Sequence, residues 1–159
     1  MTDVEIYKSI EPQVESLLDS NDSVLTNLSN FTALLSQSFE KISWVGFYIT
    51  KGDKLILGPF QGKVACTKIE FGKGVCGTSA RNKATVIVED VHKFPGHIAC
   101  DEGSNSEIVL PIIVKDKVWG VLDLDSYEFS AFNEIDKLYL ERFCEALINK
   151  LDLEKFIIS

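Results

Sequence analysis

Three of the four cysteines, Cys66, Cys76 and Cys100, stand beside residues suited to chemistry rather than packing. Cys100 lies in the run His92-Lys93-Phe94-Pro95-Gly96-His97-Ile98-Ala99-Cys100-Asp101-Glu102-Gly103-Ser104-Asn105-Ser106-Glu107. It gathers two imidazoles, one thiol and three carboxylates in sixteen positions, with almost no apolar periodicity. A loop of this kind inside a compact domain is rarely a plain connector. Thiols beside imidazoles and acids point to redox, nucleophilic or metal chemistry, and the spacing alone leaves all three open. His97-Ile98-Ala99-Cys100 has the H-x-x-C spacing of some zinc sites, which Cys66, Cys76 or His92 could complete. The chain has no C-x-x-C pair, so no metal is expected.

Gly72-Lys73-Gly74-Val75-Cys76-Gly77 matches G-x-G-x-x-G, yet it follows no Rossmann strand and opens no long helix. The better reading is a tight turn into a short helix, with Cys76 near its N-terminus, a position that favours a thiolate. Cys144, next to Phe143 in the closing helix, reads as a small core residue.

Strand alternation supplies further candidates. Along Lys117 to Asp125, Trp119, Val121, Asp123 and Asp125 are expected on one face, opposite Val118, Leu122 and Leu124. Glu107, at the start of the partner strand, could come near the two aspartates. Carboxylates this close raise at least one pKa and can keep an acid protonated at neutral pH. On the strand Ile42 to Ile49, Trp44 and Tyr48 flank Gly46 on one face, leaving a gap that fits a small apolar or sulfur-bearing group.

The elements that must position these residues follow from periodicity. Val4, Ile6, Ile10, Val14, Leu17 and Leu18 form a helical stripe with Pro12 as a flaw or break. Asp22 or Ser23 caps a second helix bearing Leu25, Leu28, Phe31, Leu35 and Phe39. A strand over Ile42–Ile49, a turn at Gly52-Asp53 and a return strand from Lys54 to Leu57 come next. Gly58-Pro59 and Gln61-Gly62 signal irregular backbone after it. Ala65–Phe71 and Thr85–Val88 are short strands, and Val75–Asn82 a short helix. Ile108–Val114 and Lys117–Leu124 make a hairpin around Lys115-Asp116. Phe132–Phe156 closes the chain as an amphipathic helix with Ile135, Leu138, Tyr139, Phe143, Leu147 and Leu151 on its apolar side. Helices, antiparallel strands and a final helix predict an α+β fold: a mainly antiparallel sheet with helices packed on one face.

At 159 residues the chain suits one domain, and 45% hydrophobic with 25% charged residues is ordinary globular composition. The formal net charge of -8 and pI near 4.8 disfavour nucleic acid and anionic membrane surfaces as partners. No stretch is long and apolar enough to span a bilayer. Four cysteines behind an acidic N-terminus without a signal core predict the cytoplasm.

The chain from about Ser43 to Asp136 resembles the free methionine-R-sulfoxide reductases, enzymes built on a GAF domain. The likeness rests on Trp44-Val45-Gly46-Phe47-Tyr48, Leu57-Gly58-Pro59-Phe60-Gln61-Gly62, Gly72-Lys73-Gly74-Val75-Cys76-Gly77, Asp90-Val91-His92, Phe94 to Asp101, Ser104-Asn105-Ser106-Glu107-Ile108 and Gly120 to Ser126. The resemblance implies one GAF-like domain over residues 1–159, with the helices of 1–40 packed on it. It implies reduction of the free amino acid methionine-(R)-sulfoxide, with Cys100 as nucleophile, Cys66 as main resolving thiol and Cys76 as a further redox cysteine. Substrate contacts are implied from Trp44, Tyr48, Glu107, Asp123 and Asp125. No bound cofactor is implied, thioredoxin supplies the electrons, and a homodimer stays open. The competing reading is a sensory GAF module that binds a small ligand without catalysis. Phe132-Asn133-Glu134-Ile135-Asp136 is faintly similar to a cyclic-nucleotide GAF motif, but sensing leaves three thiols unexplained.

Overall fold

A computed structural model describes residues 1–97, 102–156 and 158. Helix α1 (Asp3–Leu17) starts at a capping box in which Thr2 and Glu5 exchange backbone and side-chain hydrogen bonds. It runs unbroken through Pro12, held on both sides of the missing N–H donor by buried Tyr7, Ile10 and Val14. Helix α2 (Val24–Ser38) is capped by Ser23, whose hydroxyl accepts from the Thr26 N–H at 3.1 Å.

Among the described residues, six strands form one sheet in the order β3-β2-β1-β6-β5-β4: β1 Trp44–Lys51, β2 Lys54–Gln61, β3 Lys68–Glu70, β4 Val86–Val88, β5 Ser106–Val114 and β6 Lys117–Ser126. Every neighbouring pair is antiparallel. Helix α3 (Gly74–Asn82) links β3 to β4, and α4 (Glu134–Lys150) follows β6. Among the described residues no helix is long and apolar enough to cross a membrane.

Two bulges modify the expected pattern. Strand β2 does not stop at Leu57. Gly46 pairs with Phe60 and Tyr48 with Leu57, so one extra residue of Gly58-Pro59 is absorbed and the ladder continues to Gln61. In the β5–β6 hairpin, Ile112 pairs with Gly120 but Ile113 with Val118. Trp119 is the extra residue, and parity reverses there. Val118 therefore joins the face expected for Trp119, while Trp119 packs with the opposite core and donates its Nε1–H to the Leu153 carbonyl at 2.8 Å.

Each face of the sheet buries its own core. Val45, Phe47, Ile49, Ile108, Leu110, Leu122 and Leu124 meet α1, α2 and α4 on one side. The expected one-sided packing holds for these three helices. The short α3 lies on the other side, where Val75, Cys76 and Ala80 pack with Trp44, Tyr48, Val109 and Val121. Helix α4 turns its stripe slightly from the sequence expectation: Leu140 and Cys144 are buried, whereas Leu138 is half exposed and Ile135 also reaches solvent. Capping by Asn133 and Asp136 fixes that rotation, because Asp136 must point inward. There it accepts from the Tyr7 hydroxyl at 2.7 Å and pairs with Lys41 at 2.8 Å. Lys41 also reaches Asp3 at 2.8 Å and the Ala131 carbonyl at 2.7 Å, tying α1, the end of α2 and the start of α4 together.

Candidate active site

The side of the sheet under α3 carries the site. Strands β1 and β6 pair so that Asp125 lies opposite Trp44 and Asp123 opposite Gly46. Strands β5 and β6 place Glu107 opposite Asp125. Alternation then turns Trp44, Tyr48, Glu107, Asp123 and Asp125 toward one small pocket, a cavity of about 50 Å³. Helix α3 brings Gly74, Val75 and Cys76 over it, β3 contributes Ile69, and the β2–β3 loop contributes Val64 and Ala65. His97 and Ser104, both from the β4–β5 loop, line it as well.

Glu107 and Asp123 are buried, as is Cys76 at 4% exposure, and the thiol Sγ lies 3.9 Å from Glu107 Oε2. Burial pushes the Glu107 carboxyl well above the usual range, and neighbouring Asp123 adds to the shift. Asp123 is raised in the same way, first by burial and then by Asp125. One oxygen of Asp123, Oδ1, is buried without a hydrogen-bond partner among the described residues. A buried carboxyl is normally satisfied, so an orphaned oxygen aimed at a pocket is a vacancy for a ligand's donor.

Cys76 differs from its expectation. It stands in the first turn of α3, but burial and then the charges of Asp123, Glu107 and Asp125 push its thiol well above the usual range. The helix dipole is outweighed, and the neutral thiol is favoured. Cys76 and Cys144 are free thiols, whereas Cys66 is disulfide-bonded. Cys100 falls outside the described residues.

The two aromatic residues also act differently from expectation. The space over Gly46 is not open: a Cβ there would collide with Phe60 and the Trp44 ring. Trp44 stacks on Phe60 at 5.3 Å between centroids and on Tyr48 at 6.0 Å. Its Nε1–H donates to the Lys63 carbonyl at 3.1 Å, and the Tyr48 hydroxyl donates to the Cys66 carbonyl at 2.9 Å. Gly62 opens this loop at φ +135°, where a side chain would strike the Trp44 ring. Trp44 and Tyr48 thus form one pocket wall and also clamp the loop that carries Cys66.

Lys73 and Ser104 line the pocket without a sequence pattern that marks them, and His97 was marked only by its H-x-x-C spacing to Cys100. Their signal was position: Lys73 precedes α3, and the other two flank the stretch around Cys100. His97 Nδ1 is buried without a partner among the described residues. Burial, then the neighbouring His92, lowers its pKa, so the neutral ring is favoured at neutral pH. His92 itself is taken up by Asn105 at 3.0 Å. The glycine-rich run shows no dinucleotide geometry: it lies between an edge strand and a nine-residue helix of an antiparallel sheet.

Comparison with known proteins agrees with this architecture. The GAF domain family matches residues 23–148. The free methionine-R-sulfoxide reductase of Escherichia coli is 43% identical over 162 residues, covering 100% of this chain and 98% of that protein. The enzyme of the same name from Saccharomyces cerevisiae is 48% identical over 154 residues, covering 92% of this chain and 85% of that one. The crystal structure of free methionine-R-sulfoxide reductase from Neisseria meningitidis in complex with its substrate superposes with a TM-score of 0.92 at 40% identity, over 98% of this chain and 93% of that one. The antiparallel sheet with its acid-lined pocket under α3 is therefore a GAF domain, and the chain belongs to the free methionine-R-sulfoxide reductase family.

Proposed function

We propose that this protein reduces free L-methionine-(R)-sulfoxide to methionine. The observation that carries the reading is the convergence of Glu107, Asp123 and Asp125 with Trp44 and Tyr48 in one pocket, with the Asp123 Oδ1 oxygen unpartnered. A sulfoxide sulfur is a poor electrophile until its oxygen receives a proton or a strong hydrogen bond. A buried carboxyl of raised pKa is a proton donor at neutral pH, and Glu107 and Asp123 both qualify. A remaining carboxylate pairs with the free ammonium, a group that a methionine within a peptide lacks. The Trp44–Tyr48 wall receives the methyl-sulfur end.

Cys100 is the nucleophile in this reading. His97 and Ser104, three residues before it and four after it, line the pocket, which supports that role. Its thiolate attacks the sulfur, the oxygen is protonated and transferred, methionine leaves, and Cys100 becomes a sulfenic acid. The Cys66 thiol then condenses with it, releasing water and forming a disulfide. An external dithiol such as thioredoxin returns both thiols. The loop clamped by Trp44 and Tyr48 suits Cys66 to that step, as does its engagement in a disulfide while Cys76 and Cys144 stay free. Cys76, held as the neutral thiol, is the weaker attacker and takes the further redox role.

The test is single-turnover formation of methionine from each sulfoxide epimer, free and within a peptide. Wild type should reduce the free R epimer and leave the others nearly untouched. Cys100→Ser should form no methionine, and Cys66→Ser should form the first equivalent but recycle poorly with thioredoxin. Near-normal single turnover by Cys100→Ser would move the nucleophile to Cys76. A GAF module that only senses its ligand would form no methionine in any variant.

A further inference from the structure

The pocket holds a second chemical possibility, in the donor set formed by Cys76, Glu107 and Asp123. One donor atom from each lies within 4.8 Å of the other two, and all three residues are buried. A tetrahedral zinc ion with one sulfur and two oxygen ligands sets its donors about 3.5 Å apart, from bond lengths near 2.3 and 2.0 Å. The Cys76 Sγ to Glu107 Oε2 distance of 3.9 Å is a few tenths of an ångström from that. The Asp123 Oδ1 oxygen is buried and unpartnered among the described residues, on the pocket wall, so it offers a cation a free lone pair; the thiol proton that Cys76 donates to Glu107 Oε2 would leave when the ion binds.

We propose that Cys76, Glu107 and Asp123 bind a thiophilic divalent cation, Zn²⁺ foremost, and that the ion excludes the sulfoxide from the pocket. Three protein ligands face an open volume, which leaves a fourth position for water, as in zinc sites that are not closed by protein alone. The sulfur ligand selects Zn²⁺ and neighbouring soft ions over Mg²⁺ and Ca²⁺, which prefer all-oxygen shells. Asp125, opposite Glu107 on the sheet, adds negative charge beside the ion; Lys73, at the rim of the same pocket, opposes it. The ion is an inhibitor in this scheme, not a cofactor: it ties up the acids that would protonate the sulfoxide. Metal binding stands on the donor geometry, whereas the competition rests on the proposed function.

Cobalt serves as the spectroscopic probe. Fully reduced protein, titrated anaerobically with Co²⁺, should develop a thiolate-to-cobalt charge-transfer band that saturates at one equivalent. Zn²⁺ should bleach it, and Mg²⁺ in large excess should not. Cys76→Ser should lose the band, Asp123→Asn should weaken binding at least about tenfold, and Cys144→Ser should match wild type. Absence of a band in wild type, or its persistence in Cys76→Ser, overturns the site. If Cys76→Ser fails to fold by its thermal melt, unchanged affinity in Asp123→Asn overturns it equally. In a Cys100→Ser background, where no turnover consumes it, free methionine-(R)-sulfoxide should displace the bound Co²⁺. A band that withstands saturating sulfoxide overturns the competition, and with it the placing of the substrate, while the metal site stands.

Discussion

Two aspartates, one under each face of the sheet, are almost equally hidden from water and live in opposite circumstances. Asp136, fully buried on the α1–α2–α4 side, has both oxygens engaged. Oδ1 accepts from Tyr7 at 2.7 Å and from Lys41 at 2.8 Å, and Oδ2 accepts from the Asn133 N–H at 2.9 Å. Asp123, 5% exposed on the α3 side, has an unpartnered oxygen and sits among other acids. The first arrangement ties three helices together. The second crowds acids around an oxygen that only a ligand can engage, and so favours the protonated carboxyl. A buried acid is thus structural or functional according to what surrounds it, not according to how deeply it lies.

The sharpest way to break the contrast is to orphan Asp136. Lys41→Met removes its cation and leaves a buried charge behind, which should cost about 3–5 kcal/mol. The melting temperature should drop by roughly 6–20 °C for a chain of this size. Residual activity, measured below the new melting point, should be unchanged per folded molecule.

Asp123→Asn should do the reverse. Methionine formation should fall on the order of a hundredfold if Asp123 supplies the proton, as general acids typically contribute that much. The protein should stay folded. Glu107→Gln should behave alike if the proton comes from Glu107, so single-turnover rates of the pair assign the donor.

A smaller effect lies in the pH dependence of stability. Asp123 titrates near pH 4 when unfolded and higher when folded. Between those values the folded state holds a proton that the unfolded state has released. Stability therefore falls as pH rises through that window and then levels off. Asp123→Asn should remove this fall. Its melts should exceed wild type at neutral pH, and the two should converge toward pH 4. A neutral-pH melt lower than wild type would show that folding does not raise the Asp123 pKa after all.

The mildest change is Tyr48→Phe, which deletes only the hydrogen bond to the Cys66 carbonyl. A loss of about 0.5–1.5 kcal/mol is expected. Under the proposed mechanism, steady-state turnover with thioredoxin should suffer more than the first methionine formed, because the clamp acts on the loop of Cys66, the proposed resolving thiol.

Much of the acid-lined pocket was legible in the sequence. Asp123 and Asp125 are two residues apart on a strand in a tight hairpin, and Glu107 lies near the start of the partner strand, so alternation and a short register bring them together. Trp119 was misplaced because a bulge reverses alternation, and no residue type announced it. The punctuation at Gly58-Pro59 was visible, but its outcome was a bulge in a continuing strand rather than an end. The thiolate expected at Cys76 failed since local helix position says nothing of the carboxylates that tertiary folding brings beside it. The Lys41–Asp136 pair spans 95 positions, and neither residue sits in a pattern that names its partner.

The strand order has a colloidal consequence. The long strands β1 and β6 are central, and the edges β3 and β4 are only three residues each. A neighbouring molecule seeking to extend the sheet finds almost no ladder to copy. With a net charge of -8 adding mutual repulsion, the native chain should tolerate crowding at high concentration. Any fibril or precipitate should instead begin from molecules whose central strands have already opened.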